Sequence, residues 1–267
     1  MKRKKGVIVA VVCILFAASV AASSGAEYFD TSALDKGVIK VACTADTRLK
    51  VQIQGGGSTT YTYDLNNTGK KESFPLQMGN GEYKITLYQQ TSDGKYKVLA
   101  SEKVTLDLSD PNAVYLNSVQ SIEWSVNPQT VAKAVELTKN EPDLEKKANI
   151  LWNYMAKNNK YDQNKLASLP STYLPVPDST LAARSGICYD FSSLYAAMLR
   201  SEGIPAKLVK GYAPDYAVGY HAWNEVYDAA KKQWIVVDPT YDLQANASSK
   251  PFTMVKQADK YKKASQY

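Results

Sequence analysis

Histidine and cysteine, the residues most often used for metal binding and nucleophilic chemistry, are scarce in this chain. One histidine, His221, and three cysteines occur among 267 residues. They stand in dissimilar local contexts, without the short ligand spacings that a zinc site needs. The chain also lacks an Asp-x-Asp-x-Asp-Gly calcium loop, and Gly55-Gly56-Gly57 is followed by neither the lysine nor the helix of a phosphate-binding loop. We therefore predict no metal site and no cofactor.

Long hydrophobic runs are also absent. The longest run, Val7 to Ala18, is shorter than the roughly 20 residues that a membrane-spanning helix needs. It follows four basic residues at positions 2–5 and precedes the small residues of Ser19–Ala26, which is the order of an export signal. We expect residues 1–26 to be a cleaved signal peptide and the protein to be secreted or on the cell surface. An uncleaved signal anchor is the alternative, and the only membrane contact predicted.

The charge balance is too small to indicate a nucleic-acid partner. The formal net charge of +6 includes the four basic residues of the signal, whose removal leaves +2. Cleavage also leaves two cysteines, Cys43 and Cys188. An exported protein can join such a pair, but Cys43 lies in an apolar run, and we expect it to be buried while Cys188 stays a free thiol. Four lysines near the C-terminus are interpreted as part of a solvated tail: Lys256, Lys260, Lys262 and Lys263.

Residues 27–126 have the pattern of an all-β, immunoglobulin-like sandwich. Short runs of strand-forming residues are separated by turns rich in Gly, Asn and Asp. We predict strands at Val38–Ala42, Leu49–Ile53, Thr59–Tyr63, Tyr83–Tyr88, Tyr96–Ala100, Val104–Leu108 and Val114–Leu116. No catalytic constellation occurs in this half, so we predict a recognition or spacer domain.

Residues 127–267 have a helical period at first and predict an α+β domain. Thr130–Lys139 can form one helix, and Asp143 is placed to cap a second. The polar stretch from Asn158 to Ser179 contains three prolines and is predicted to be irregular. A helix near Cys188 and two or three strands follow.

Cys188 is predicted at or just before the first turn of a helix that Gly203-Ile204-Pro205 ends. Unpaired backbone N–H groups and the positive end of the helix dipole favour a thiolate at that position. Asp190 would oppose the thiolate by its charge. The alternative for Cys188 is a buried packing residue.

A hairpin brings the histidine to an aspartate. Residues 220–227 and 234–238 alternate in period two, and pairing Tyr227 with Lys232 leaves a four-residue loop. The same register places His221 directly opposite Asp238, within the roughly 4.5–5.5 Å Cβ spacing of cross-strand neighbours. Asp238 would orient the imidazole, which would accept the Cys188 proton and allow the thiolate to form an acyl-enzyme. Taken alone, Asp238-Pro239-Thr240 is more typical of a simple turn.

Two further aromatic residues are candidates for the site. The backbone N–H of Cys188 is a natural oxyanion donor at a helix start, and Tyr161 is the candidate for the second donor. Trp223, two residues after His221, is in position to cover the imidazole or line the substrate site. For both residues the alternative is ordinary core packing.

Together these segments resemble the bacterial transglutaminase-like superfamily. The resemblance spans roughly Asn127 to Leu243 and is carried by linked motifs in order: Gly186-Ile187-Cys188-Tyr189-Asp190-Phe191, Gly203-Ile204-Pro205-Ala206, Gly211-Tyr212, His221-Ala222-Trp223-Asn224-Glu225-Val226, Trp234 and Asp238-Pro239-Thr240. It implies a papain-like core and a catalytic triad of Cys188, His221 and Asp238. The β-sandwich lies outside the resemblance.

The resemblance implies an acyl-enzyme and leaves the acceptor open. We expect a secreted cysteine peptidase or amidase that cleaves or modifies amide bonds of peptide, protein or cell-wall peptide substrates. A protein-glutamine amine transferase is the second hypothesis, and a cell-surface binding protein that uses the domain as a scaffold is the third. Substrate preference is expected from the loops at 166–179 and 213–219, and the second loop is a candidate lid. The sequence carries no signature of an oligomeric state.

Overall fold

A computed structural model describes residues 27–57, 59–213 and 219–267. The predicted signal peptide, residues 1–26, lies outside the described residues, and so does most of the candidate lid, residues 214–218. No described helix is both long and apolar enough to cross a membrane.

Two antiparallel sheets form the N-terminal half. The first has three strands in the order β1 (Phe29–Asp30), β2 (Val38–Val41) and β5 (Glu72–Pro75). The second has four strands in the order β4 (Thr60–Leu65), β3 (Leu49–Gly55), β6 (Gly81–Gln90) and β7 (Tyr96–Leu106). Both sheets contribute to one hydrophobic core, which is the arrangement of a β-sandwich.

Alternation along the strands explains this core. In β3, Leu49, Val51 and Ile53 are buried, whereas the residues between them are partly exposed. They share a core with Ile39 and Phe74 of the other sheet. The predicted sandwich therefore agrees with the structure.

Three details of the strand prediction are wrong. The runs predicted as Tyr96–Ala100 and Val104–Leu108 are one strand, β7, whose register against β6 shifts after Leu87. The run Val114–Leu116 belongs to a 3-10 helix, Pro111–Leu116, because Pro111 suits a first helical position and the Asp110 side chain accepts from the backbone N–H of Asn112. Strand β5 was not predicted.

Six α-helices, one 3-10 helix (Ala258–Lys260) and six strands are described in the C-terminal half. The helices are α1 (Pro128–Thr138), α2 (Leu144–Asn158), α3 (Gln163–Ser168), α4 (Pro177–Ala183), α5 (Cys188–Ser201) and α6 (Pro239–Ala247). The strands are β8 (Lys160–Tyr161), β9 (Ser185–Gly186), β10 (Ala206–Tyr212), β11 (Tyr220–Asp228), β12 (Gln233–Val237) and β13 (Lys262–Gln266). The larger sheet is antiparallel in the order β12-β11-β10-β13, and β8 pairs with β9 in parallel.

Helix α5 is the centre of this half. All its residues from Asp190 to Arg200 are buried, and it packs on β10 and β11 as well as on helices α1, α2, α4 and α6. A helix surrounded in this way needs apolar residues on most of its circumference, and these are supplied by Phe191, Leu194, Tyr195, Ala196, Ala197, Met198 and Leu199, which are all buried. Because the surrounding elements fix α5, they also fix the position of its first residue, Cys188.

Three expectations for this half need correction. The proline-containing stretch at 158–179 is not wholly irregular, because it includes α3 and the start of α4, where Pro177 occupies an N-terminal helical position. The segment at 238–240 starts helix α6 instead of forming a simple turn. The expected C-terminal tail is partly strand β13, which pairs with β10, and Lys263 contacts Glu225.

The two halves share a substantial contact surface. Arg200 of α5 donates to the carbonyls of Ala206, Asn117 and Tyr267. The Tyr267 ring packs edge-on against Tyr61 and Tyr63 of the sandwich. Two further residues, Val119 and Ile122, precede position 127 yet lie in the hydrophobic core of the C-terminal half. The division at 126/127 stays a prediction.

Candidate active site

Cys188 is the first residue of helix α5, as predicted. The preceding residue, Ile187, is extended, so the backbone N–H of Cys188 is among those at a helix start that have no carbonyl partner one turn earlier. Cys188 is a free cysteine and partly exposed, whereas Cys43 is free and buried. The thiol is thus reachable from solvent at the positive end of a helix.

The charge of Asp190 is balanced by the residues around it. Its side chain is fully buried and accepts from the backbone N–H of Ile187 at 2.9 Å, which caps the helix. Lys165 of α3 forms an ion pair with Asp190 at 2.6 Å, and the Tyr173 hydroxyl donates to the other oxygen. Lys165 therefore balances the charge by which Asp190 was expected to oppose a thiolate.

His221 and Asp238 form a buried pair. The His221 Nε2 and Asp238 Oδ2 atoms are 2.9 Å apart, and the two side chains are 2% and 0% exposed. Asp238 is the N-cap of α6, where its Oδ1 accepts from the backbone N–H of Tyr241 at 3.0 Å. The Tyr261 hydroxyl donates to Oδ2, also at 3.0 Å. The carboxylate is thus fixed by contacts on both oxygens.

The hairpin register differs from the predicted one by two residues. The structure pairs Glu225 with Val236 and Tyr227 with Trp234, where Glu225 opposite Trp234 was expected. A two-residue shift keeps every side chain on its predicted face, whereas a one-residue shift would not. Strand β12 ends at Val237, so His221 and Asp238 are not a directly opposed strand pair, and their contact forms just beyond the end of β12.

The Cys188 side chain lies near enough to the His221 imidazole to interact with it, and this interaction helps to raise the pKa of His221. Because Nε2 faces Asp238, an interaction with the thiol falls to Nδ1. Burial alone would lower the pKa of His221, but the charge and hydrogen bond of Asp238, together with Cys188, outweigh it and raise this pKa to about 9. The structure thus brings the three predicted residues together, with an imidazole whose protonated form is stabilised by Asp238.

Trp223 lies behind the imidazole. It is fully buried, and its ring stacks on His221 with a centroid distance of 6.3 Å and an interplanar angle of 19°. Its other neighbours include Tyr261, at 5.1 Å between ring centroids. A Cβ at Gly211 would lie 2.8 Å from the Trp223 ring and 2.1 Å from the Lys262 carbonyl oxygen, so glycine is needed there. Trp223 therefore supports His221 and is too buried to form the substrate wall that was considered.

Tyr161 lies beside the candidate nucleophile. It pairs with Gly186 in the short parallel β8–β9 ladder, two residues before Cys188. Burial raises its pKa to about 12, with smaller contributions from the charges of Cys188 and Asp190. The hydroxyl therefore stays protonated and able to donate. Its role in stabilising an oxyanion stays a prediction.

Several residues of this site were not predicted from the sequence. Lys165 and Tyr173 reach Asp190 from the proline-containing stretch, and Tyr261 reaches Asp238 from the segment interpreted as a tail. Nothing local marks these residues, because each acts across the fold. Over the described ranges, no group of three or more His, Cys, Asp or Glu side chains is placed to hold a metal ion.

Comparison with known proteins places these residues in a family. Residues 131–239 match the family model of the transglutaminase-like superfamily, and the matched segment includes Cys188, His221 and Asp238. The chain contains a transglutaminase-like domain. The resemblance inferred from the motifs is confirmed, and so is the α+β fold class of the core.

Relatives of the transglutaminase-like domain are distant. The uncharacterised protein YebA of Bacillus subtilis is 24% identical over 176 residues, which cover 60% of this chain and 23% of YebA. A protein-glutamine gamma-glutamyltransferase of Pseudomonas aeruginosa is 37% identical over 79 residues, covering 26% of this chain and 12% of that protein. A solved structure of a candidate cysteine protease from Cytophaga hutchinsonii has a TM-score of 0.48 and 15% identity, covering 85% of this chain and 73% of that one. The matches span at most a quarter of the length of these curated relatives.

Proposed function

We propose that this protein is a cysteine enzyme that cleaves amide bonds of peptide substrates through an acyl-enzyme on Cys188. The observation that carries the proposal is the chain of contacts from Cys188 to His221 and from His221 to Asp238. A thiol, a base and a fixed carboxylate in that order are the parts that nucleophilic acyl transfer needs.

The steps follow from the contacts. His221 takes the thiol proton on Nδ1, and the Cys188 Sγ forms a bond to the substrate carbonyl carbon. The C–N bond then breaks, and His221 returns the proton to the leaving amine. A water molecule, deprotonated by His221, attacks the thioester, which releases the carboxylic acid and restores the thiol. Asp238 stabilises the imidazolium throughout and fixes its tautomer.

The oxyanion of each tetrahedral intermediate needs donors near Sγ. The backbone N–H of Cys188 lies at a helix start, and the Tyr161 hydroxyl lies on the neighbouring β8–β9 ladder. We assign both as donors, because the field at a helix N-terminus and a protonated hydroxyl both stabilise developing negative charge.

Amine transfer is the second candidate reaction. It shares the acyl-enzyme and differs only in that an amine, instead of water, attacks the thioester. The match to a protein-glutamine gamma-glutamyltransferase favours this candidate. We place hydrolysis first because the bacterial members of this superfamily that the motifs resemble are more typically peptidases or amidases.

The location of the protein, its substrates and the role of the sandwich are also proposals. The export signal expected at residues 1–26 supports a secreted or cell-surface location. Peptides, proteins or the peptides of the cell wall are then the substrates within reach. We assign the sandwich to substrate recognition or spacing.

The test uses the mature protein and a Cys188→Ala variant, each incubated with a diverse peptide pool and a tagged primary amine. Mass spectrometry is expected to find cleaved or deamidated peptides that are absent with the variant. Tagged peptides would instead show that amine transfer is the main reaction. Products that are equally abundant with Cys188→Ala, or absent from both, would reject the enzyme proposal in favour of a binding scaffold.

A further inference from the structure

A cleft opens between the sandwich and the transglutaminase-like domain, and one of its lining residues is Tyr189, which follows Cys188. Its volume is about 130 Å³. One wall is formed by the sandwich residues Thr62 and Asp64, and the other by Tyr189, Lys210 and Tyr267. Since a water molecule occupies about 30 Å³ in the liquid, the cleft has room for a group the size of a small carboxylic acid. The mechanism above does not use it.

Lys210 is the cation of this cleft. Its Nζ lies 3.6 Å from the centroid of the Tyr189 ring and 5.3 Å from that of Tyr267. Over the described ranges, no carboxylate lies within ion-pairing distance of Lys210, although ion pairs are found for lysines nearby, including Lys207 with Glu225. Lys210 is therefore held in place by aromatic faces and keeps its N–H donors for another partner.

The acid in the cleft is already engaged. Asp64 pairs with Arg48 at 3.0 Å and with Lys50 at 3.1 Å, both on the sandwich. The charge that faces an incoming group is thus mainly that of Lys210. Burial lowers the pKa of Lys210 to about 8, partly offset by the nearby Cys188, so an anion bound there would restore a favourable environment for the ammonium.

The position of Lys210 links this cleft to the reacting atoms. The charges of Lys210 and Cys188 are close enough to interact, although Lys210 faces the side of β10 opposite to that of the Gly211–His221 pair. Its aromatic partner Tyr189 directly follows Cys188 in helix α5. A peptide whose scissile carbonyl reaches Cys188 would therefore place a neighbouring group in the cleft.

We propose that this cleft binds an acidic group of the substrate next to the scissile amide, and that Lys210 recognises its carboxylate. The proposal rests on the proposed function and narrows the substrate class to acidic peptides. The carboxylate comes either from a Glu or Asp side chain or from a chain terminus, since the chemistry that Lys210 offers is the same for both.

The first test compares matched peptides that the enzyme cleaves. Each Glu or Asp next to the cleaved bond is changed to Gln or Asn, and each terminal acid to its amide, which separates the two sources of carboxylate. We expect kcat/KM to fall about tenfold with the neutral partner, as for loss of one charged hydrogen bond. In Lys210→Met the acidic and neutral peptides should have nearly equal kcat/KM values, whereas Lys210→Arg should keep the tenfold difference. Lys262→Met, which removes an exposed lysine from the adjacent strand, is the control and should keep it.

The second test does not depend on turnover. Alkylation rates of Cys188 by anionic iodoacetate and neutral iodoacetamide are measured by peptide mass spectrometry. We expect the iodoacetate rate divided by the iodoacetamide rate to fall several-fold in Lys210→Met and to be unchanged in Lys262→Met. A changed alkylation ratio without Cys188-dependent turnover would support the anion site and reject the proposed function. Cys188-dependent turnover with both ratios unchanged in Lys210→Met would overturn the role of Lys210.

Discussion

At the residue scale, the site depends on one carboxylate that makes several contacts. Asp238 caps helix α6 through Oδ1, while its Oδ2 meets both His221 and Tyr261. A carboxylate with these contacts cannot rotate freely, so the imidazole that it contacts is also fixed. The orientation of the candidate base is thus a consequence of how a helix begins.

The raised pKa of His221 makes stability depend on pH. In the folded protein this pKa is about 9, above the value of about 6.5 expected in the unfolded chain. The pairing with Asp238 and Cys188 therefore stabilises the fold fully below pH 6.5, and this contribution is lost as the pH rises through 9. Its upper limit is about 3 kcal/mol.

The measurement is the free energy of unfolding of wild type and His221→Gln between pH 5.5 and about 9.5, by urea titration. The difference between the two proteins should be largest at the acid end and shrink as the pH rises. Cys188 and Asp238 are titratable groups that act on this ring, and they are present in both proteins. A difference that grows with pH would contradict the assignment.

Tyr161 is predicted to act on the reaction and not on the fold. Tyr161→Phe removes one hydroxyl beside Cys188, and kcat should fall about 100-fold if that hydroxyl is an oxyanion donor. KM and the midpoint of thermal unfolding should change little, because the ring is kept. Tyr154→Phe, on helix α2, is the matched control. An unchanged kcat would leave the backbone N–H of Cys188 as the assigned donor.

The three central residues could be predicted from the sequence, but the residues that hold them in position could not. Cys188, His221 and Asp238 each stand in a local pattern: a helix start, an alternating strand and a strand end. Lys165, Tyr173, Tyr261 and Lys210 stand in no such pattern, because their roles depend on elements far apart in the chain. Tertiary contacts of that kind are set by packing and cannot be derived from local periodicity.

At the element scale, the hairpin shows which part of a register can be predicted. Alternation determined which side chains share a face, and that prediction survived a shift of two residues. The exact partner depends on the turn, which joins Asp228 to Gln233 through four residues, with Lys232 in a left-handed conformation. The sequence does not indicate a left-handed conformation at a lysine, so the turn was predicted one residue too early on each strand.

Helix α5 begins on a buried cap, which predicts an unusually costly substitution. Asp190→Ala would remove the acceptor for the Ile187 N–H and leave Lys165 without its partner, at a cost of about 3–5 kcal/mol. Asp143→Ala is the control, because Asp143 caps helix α2 in an exposed position and its loss should cost about 1 kcal/mol. Urea titrations of the two variants measure both values. Equal costs would show that burial and Lys165 add nothing to the cap.

At the scale of the whole molecule, the two halves are joined by polar contacts that a sequence does not reveal. Gln266 of β13 donates to the Tyr115 hydroxyl at 2.8 Å, and Gln77 donates to the carbonyl of Gln266 at 3.1 Å. Strand β13 thus belongs to the sheet that carries His221 and also contacts the sandwich. The class of each half was predicted from its pattern, whereas this contact surface was not.

The contacts of Arg200 predict how much the stability of the protein depends on the contact between the two halves. Arg200→Met would remove a buried guanidinium that donates to the carbonyls of Ala206, Asn117 and Tyr267, and should cost about 3 kcal/mol. Arg48→Met, which removes an exposed ion pair with Asp64, should cost less than about 1 kcal/mol. Denaturant unfolding gives both values, and limited proteolysis should cut Arg200→Met faster between the halves. Equal stability of the two variants would contradict a structural role for Arg200.

The claim that Cys188 forms an acyl-enzyme with help from His221 is tested most directly by a burst experiment. Wild type, Cys188→Ala and His221→Gln are mixed with p-nitrophenyl acetate, and p-nitrophenolate release is followed by stopped flow while intact mass spectrometry detects the acetyl group. The account predicts a burst of one equivalent in wild type with one acetyl group on Cys188, a burst at least about 100-fold slower in His221→Gln, and none in Cys188→Ala. A burst that persists in Cys188→Ala, or that is equally fast in His221→Gln, would contradict it.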